Sequence, residues 1–263
     1  MIMLVYKAWI ETRIRFVAGL IATTAICIFY MEQHAWLVQM WTADMQNPHG
    51  YHMKWMPLGI HEYGWYLWHY LYDNYLQQIW ALFAILFAFG GLVRERNNGT
   101  VLFSLGLPVS RRRWLFTRLT VALVESIAVS LFAVLVVVVG SAVIHQTYSL
   151  SQVLLHTALM VSAGVFMFAF GNLCYTLFPG NYLSLILTVV LLGVPYLWLQ
   201  TYMQHVRYLG RASWLRYLDI AHTMAGPWQL HWSTTPWAPL LVAWLLTAVL
   251  LAATVGHGDR LDY

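Results

Sequence analysis

Residues 119–144 read LTVALVESIAVSLFAVLVVVVGSAVI and contain one charged side chain, Glu125. A helix needs about 20 mostly apolar residues to cross the hydrocarbon core of a bilayer, so this stretch is long enough. The rest of the chain has the same character, since 60% of its 263 residues are hydrophobic and 9% are charged. Soluble proteins carry roughly 25% charged residues. The composition therefore predicts an integral membrane protein.

Apolar stretches of similar length recur along the chain, and they predict an all-α membrane protein with about six transmembrane helices. The predicted spans are residues 14–31, 76–93, 119–144, 154–178, 182–200 and 237–255. We expect a single transmembrane domain over residues 1–263, with no soluble domain between the spans. Both cysteines, Cys27 and Cys174, lie in predicted spans. Buried thiols are therefore favoured over a disulfide.

The positions of Lys and Arg predict the orientation. If the N-terminus is inside, ten of the 14 Lys and Arg residues fall in inner segments. The remaining four, in outer segments, are Lys54, Arg207, Arg211 and Arg216. An excess of basic residues marks cytoplasmic segments, so both termini are predicted to be cytoplasmic. The three arginines before the last span run against this pattern.

The segment before the first span, residues 1–13, mixes apolar residues with Lys7, Glu11 and Arg13. This mixture suits an amphipathic helix that lies in the membrane interface. The alternative is that these residues are the start of the first span.

The predicted extracytoplasmic loop, residues 32–75, is rich in Trp, Tyr and His. Imidazole and carboxylate groups suit zinc or copper, and the candidate ligands are His49, His52, His61 and His69. Their spacing matches no known metal site, and the neighbouring residues are aromatic. We therefore expect a compact extracytoplasmic cap, with no metal.

Two polar residues inside predicted spans are candidates for the translocation path. A charge inside a bilayer is costly and faces protein or water. Glu125 therefore either lines a path or pairs with Arg118, seven residues earlier on nearly the same helix face. Asn172 is predicted to form a hydrogen bond between helices.

The segment between the second and third spans carries the most information. Residues 90–113 read GGLVRERNNGTVLFSLGLPVSRRR. They predict a charged turn, a short amphipathic helix that ends before Pro108, and a basic return to the membrane. Ser110 is a good N-cap residue for the helix that follows.

This segment resembles the type-two permease family of ATP-binding-cassette (ABC) exporters. In that family a glutamate is followed by Gly-Thr, a hydrophobic stretch that ends in Leu-Pro-Val-Ser-Arg, and the next span. Here the matching positions are Glu95, Gly99-Thr100 and residues 107–111. The match is local, over about 20 residues, and the six-span layout extends it more weakly over the whole chain.

The resemblance implies that residues 94–118 form a cytoplasmic coupling segment that docks on an ATPase. The implied coupling residues are Arg94, Glu95, Arg96, Gly99, Thr100, Leu107, Pro108, Ser110 and Arg111. The chain has no G-x-x-x-x-G-K-[ST] loop for ATP. ATP and Mg are therefore expected on separate cytoplasmic ABC ATPase subunits, with neither a cofactor nor a catalytic residue in this chain.

The resemblance also implies a second permease chain, identical or different, in a cell (inner) membrane. Residues 201–236 would form an extracytoplasmic gate of re-entrant or interfacial helices before the last span. The arginines there equally suit binding of lipid phosphates. The few polar residues in the spans favour an amphipathic or hydrophobic cargo such as a lipid, peptide or drug. Besides these proteins, membrane lipid is an expected partner and nucleic acid is not.

Three other functions compete with an exporter. A membrane enzyme is disfavoured because neither H-E-x-x-H nor G-x-S-x-G occurs. A secondary transporter would show coupling-ion carboxylates and internal repeats, and neither is visible. A permease-like subunit with a sensing or immunity role stays open from the sequence.

Overall fold

The chain is helical over almost every residue that its computed structural model describes, namely residues 2–46, 58–89, 110–178, 183–195 and 217–258. No strand occurs in these ranges. Helix α2 covers residues 63–88 and combines α-helical Tyr63–Tyr66, π-helical Leu67–Leu76 and α-helical Gln77–Ala88. The other helices are α1 (Ile2–Gln46), α3 (Arg111–Val143), α4 (Leu150–Leu177), α5 (Leu183–Pro195), α6 (Ile220–Ala225) and α7 (Trp237–Gly258).

Four of the described helices are long and apolar enough to cross a membrane. Their qualifying parts are Met3–Gln46, Arg112–Val143, Leu150–Leu177 and Trp237–His257. They overlap the first, third, fourth and sixth predicted spans. The second and fifth predicted spans run past the described residues, at residues 90–93 and 196–200. The helical membrane class is therefore supported, and the count of six spans stays a prediction.

Helix α1 is longer than the sequence pattern suggested. It has 45 residues, so it is about 68 Å long against a hydrocarbon core of about 30 Å. Residues 2–13 continue into it without a break, so they are not a separate helix, and their place in the membrane interface stays a prediction. The predicted loop, residues 32–75, was wrong in its described part, which is helical over residues 32–46 and 63–75. Polar residues interrupt the apolar run there, although the backbone continues as a helix.

The core lies where α2 meets α1, α3 and α4. Helix α1 packs mainly on α3, and α4 packs on α2 and α7. Trp80 of α2 is almost fully buried, and its indole N–H donates to the Ser126 carbonyl of α3 at 3.1 Å. The same ring lies directly over Gly164 of α4, where no Cβ could fit. Both predicted thiols, Cys27 and Cys174, are free and buried, as expected.

Tyrosines of α2 fasten its first half to the neighbouring helices. Tyr66 donates to the Tyr30 carbonyl at 2.8 Å, and the hydroxyls of Tyr63 and Ser141 are 2.8 Å apart. Buried tyrosine hydroxyls normally find such partners. Within the π-helix, the Asn74 amide donates to the His69 carbonyl at 2.6 Å. These hydrogen bonds join the first half of α2 to α1 and α3, and an extracytoplasmic cap stays a prediction.

A segment before α7 runs back alongside α4. Gln152, near the start of α4, exchanges two hydrogen bonds with the Leu230 backbone, at 3.1 and 3.0 Å. Farther along α4, His156 meets the Ala225 carbonyl. Residues 218–221 then lie beside residues 166–170 of α4. The described part of the predicted gate segment therefore penetrates deep along the helix bundle, with α6 as its one short α-helix.

Candidate functional site

A cluster of polar residues lies between α1 and α3, next to the end of α2. Its members are Glu11, Thr12 and Arg15 from α1 and Arg118 and Glu125 from α3. Residues three, four or seven positions apart lie on one helix face, so each helix presents its members together. We call these five residues the polar cluster.

Two arginines of the polar cluster hold the end of α2. Arg15 Nη1 donates to the Leu86 carbonyl at 2.7 Å and also to the Phe89 carbonyl. Arg118 Nη2 donates to the Ala88 carbonyl at 3.3 Å. The last carbonyls of a helix have no partner within it, and a cation there is favoured by the helix dipole. Both arginines thus complete the hydrogen bonding of α2 just before the predicted coupling segment begins.

Glu125 lies deeper in the bundle and is 4% exposed. Its Oε1 accepts a hydrogen bond from the Thr12 hydroxyl at 2.6 Å. Its Oε2 has no hydrogen-bond partner among the described residues. The carboxylate therefore has one described hydrogen bond, across the α1–α3 contact, and the charges of Arg15 and Arg118 act on it as well.

Arg118 does not form the close ion pair with Glu125 that was one of the two predicted alternatives, although its charge still attracts the carboxylate. Arg118 Nε instead lies 3.9 Å from Glu11 Oε2, on the other helix. The two α3 residues do share a face, but seven residues separate them by about 10 Å along the axis. The guanidinium instead reaches the Ala88 carbonyl at the end of α2 and lies beside Glu11.

Most of the predicted coupling residues lie outside the described part of the chain. These are Arg94, Glu95, Arg96, Gly99, Thr100, Leu107 and Pro108. Ser110 is described, and its hydroxyl caps α3 by accepting from the Arg113 N–H at 3.4 Å. The predicted cap is thus confirmed. Arg111 is the first residue of α3.

Within the described part of the chain, the side chain of Asn172 forms no hydrogen bond to another helix, contrary to the prediction. Its side-chain amide donates to the Phe168 carbonyl of its own helix at 2.9 Å. A carbonyl four residues earlier on α4 thus gives the buried amide a local partner.

The two described candidate metal ligands, His61 and His69, both pack against tryptophan rings. His61 meets the edge of Trp41, with ring centroids 4.4 Å apart, and His69 stacks on Trp65 at 4.7 Å. His49 and His52 lie outside the described residues, and the described ones contain no group of three potential ligands. Burial lowers the pKa of His69, while the carboxylate of Asp73, 4.0 Å away, acts in the opposite direction.

Sequence reasoning missed the roles of Thr12, Arg15 and His156. Thr12 lies in the segment that had been assigned to the interface, and Arg15 lies at the start of the first predicted span. His156 is fully buried, and its two ring nitrogens lie 3.2 Å from the carbonyls of Ala225 and Trp228. It is the one histidine of the predicted fourth span. A histidine inside a span normally faces the bundle interior and has a partner there, so its position in the sequence could have indicated this role.

In comparisons with known proteins, no protein-family model and no curated protein matches the chain.

Proposed function

We propose that this chain is the transmembrane subunit of an ATP-driven exporter of the ABC type. It moves an amphipathic or hydrophobic substrate outward, and separate cytoplasmic ATPase subunits bind ATP and Mg. The observation that supports this proposal is the junction at the end of α2. There, Arg15 and Arg118 hold the helix end from which the segment resembling a coupling helix departs.

The junction suits the transmission of force. Movement of the coupling segment pulls on the last turn of α2, and the two arginines pass the displacement to α1 and α3. Charged hydrogen bonds are directional and roughly twice as strong as neutral ones. Removing the partner of a partly buried charge is strongly destabilising. Because the arginines bond to α2 from α1 and α3, the junction resists separation of these three helices.

The proposed complex contains two permease chains in the cell (inner) membrane, with both termini cytoplasmic. Helices α1 and α3 expose large apolar side chains, among them Ile14, Ile21, Leu131 and Leu135. Lipid or a second permease chain covers such surfaces in a bilayer.

ATPase activity of the purified complex tests the proposal. Glu95→Ala and Arg96→Glu are expected to abolish the increase in ATPase activity that the permease causes, because the coupling segment no longer docks. Arg15→Gln is expected to lower the same increase at least severalfold, because it releases the end of α2.

The matched control is Arg13→Gln, which removes an exposed arginine from the same helix. It should leave stimulation unchanged. Full stimulation in Glu95→Ala, Arg96→Glu and Arg15→Gln alike would contradict the proposal.

A further inference from the structure

An apolar groove of about 260 Å³ lies between α4, α5, α7 and the segment before α6. Its walls include Phe166 and Phe170 of α4, Pro195 of α5 and Leu246 of α7. Pockets for drug-sized ligands span roughly 300–1,000 Å³, so the groove, slightly below this range, suits a smaller organic molecule.

The groove lies inside the hydrophobic thickness of the bundle. Helix α4 has 28 residues, and residues 166–170 begin a few residues past its midpoint. At 1.5 Å per residue they lie within about 10 Å of that midpoint. If α4 spans a hydrocarbon core of about 30 Å, the groove is near its centre.

One acidic side chain lines this otherwise apolar groove. Asp219 is 7% exposed, and its Oδ1 accepts a hydrogen bond from the His222 N–H at 3.1 Å, as the N-cap of α6. An ionised carboxylate has about four acceptor positions, so the cap leaves most of them for other donors. None of the described cationic side chains forms an ion pair with Asp219.

A buried carboxylate in apolar surroundings is stabilised by an opposite charge. The remaining groove walls are apolar or aromatic, and the rings of Phe166 and Phe170 lie 6.0 Å apart. Aromatic faces also attract cations. The complementary molecule therefore has a hydrophobic body and a positive charge.

We infer that this groove binds a lipophilic cation, with the ligand's positive charge at Asp219 and its hydrocarbon groups against Phe166, Phe170 and Leu246. As a statement about cargo, the inference rests on the proposed export function. As a statement about binding, it does not depend on that function.

Binding of radiolabelled benzyltriethylammonium to the full chain in phosphatidylcholine nanodiscs tests the inference. Equilibrium dialysis without any ATPase is expected to show one saturable site per chain. Asp219→Asn keeps a good N-cap residue but removes the charge, so it should raise the Kd at least about tenfold. Asp219→Glu should stay within a few-fold of the unmodified chain.

Two further variants separate the groove from general effects. Ala221→Phe places a ring in the groove and should also weaken binding, whereas Asp73→Asn removes a carboxylate outside the groove and should not. Thermal unfolding of each variant checks that the chain is folded.

Three results would overturn the inference. They are no saturable binding to the unmodified chain, an equal Kd for a folded Asp219→Asn variant, and equal competition by the uncharged carbon isostere of the probe. The last result would identify the groove as a site for neutral hydrocarbon chains. Failure of ATPase coupling would leave this binding unchanged, so the two proposals fail separately.

Discussion

The Glu125 carboxylate accepts one hydrogen bond among the described residues, from the Thr12 hydroxyl, while the charges of Arg15 and Arg118 also attract it. Leaving a buried acceptor without a partner costs about 1–3 kcal/mol, and more for a charged group. The position thus links the stability of the α1–α3 contact to two side chains that lie 113 residues apart in sequence.

Replacing Thr12 tests this contact. Thr12→Val keeps the shape of the side chain but removes the donor, so we expect the free energy of unfolding to fall by about 1–3 kcal/mol. Unfolding in mixed detergent micelles measures the change.

Thr24→Val is the control, because the Thr24 hydroxyl donates to the Leu20 carbonyl of its own helix. Thr24→Val is expected to lower the free energy of unfolding by less than Thr12→Val. The double variant Thr12→Val/Glu125→Leu should lose less than the two single losses added, since neither partner is then left alone. Additive losses would argue against a direct interaction.

At the residue scale, the sequence predicted what is local. The Ser110 cap follows from residue type and position, and it is present. The partner of Arg118 depends on which helix lies opposite, and one sequence carries no such information. The interaction of Thr12 with Glu125 could not be predicted either, because it also joins two different helices.

Among the elements, the contact of α2 with α4 is the tightest described. A Cβ at Gly164 would overlap the Trp80 ring, with Cε3 only 2.8 Å away and Cζ3 closer still. Glycine is therefore required on α4 at this crossing, in the way that small residues let helices approach in membranes.

Two glycine substitutions with the same chemistry test this contact. Gly164→Ala should lower the free energy of unfolding by about 1–3 kcal/mol, because the indole must move. Gly193→Ala in α5, where a Cβ meets nothing within 4 Å, should be neutral or stabilising by up to about 1 kcal/mol. Melting temperatures in one detergent measure both, and equal shifts would contradict the packing described.

The π-helical part of α2 provides a pH dependence. Burial lowers the folded-state pKa of His69 below its unfolded value of about 6.5, so the folded state binds fewer protons. Stability contributed by the neutral ring is complete above pH 6.5 and is lost as the pH falls toward the folded pKa.

Substitution of His69 tests this dependence. His69→Phe keeps an aromatic ring against Trp65, so the melting temperature of this variant should fall less between pH 7.5 and 5.5 than that of the unmodified chain. The exposed His61 serves as control, and His61→Phe should retain the full fall. The same fall in all three proteins would show that His69 is not responsible.

Element prediction succeeded where hydropathy is continuous. Helices α3, α4 and α7 were predictable because uninterrupted apolar runs of this length have one stable state in a bilayer. The extension of α1 to Gln46 was not predictable, because residues such as Glu32 and His34 end the apolar run while the backbone remains helical.

For the whole molecule, the membrane class followed from composition, and the candidate site did not. The polar cluster requires α1, α2 and α3 to meet at one place. The sequence pattern of each helix shows only the polar residues on that helix and does not show which helices are neighbours. The groove at Asp219 likewise requires the segment before α7 to fold back along α4.

The central claim is that this chain works with a separate ATPase. Purification from its native membrane in mild detergent, followed by mass spectrometry, tests that claim most directly. We predict a stoichiometric nucleotide-hydrolysing subunit that is lost in the Glu95→Ala/Arg96→Glu variant. Recovery of the chain without such a subunit, under conditions that preserve other exporter complexes, would contradict the account.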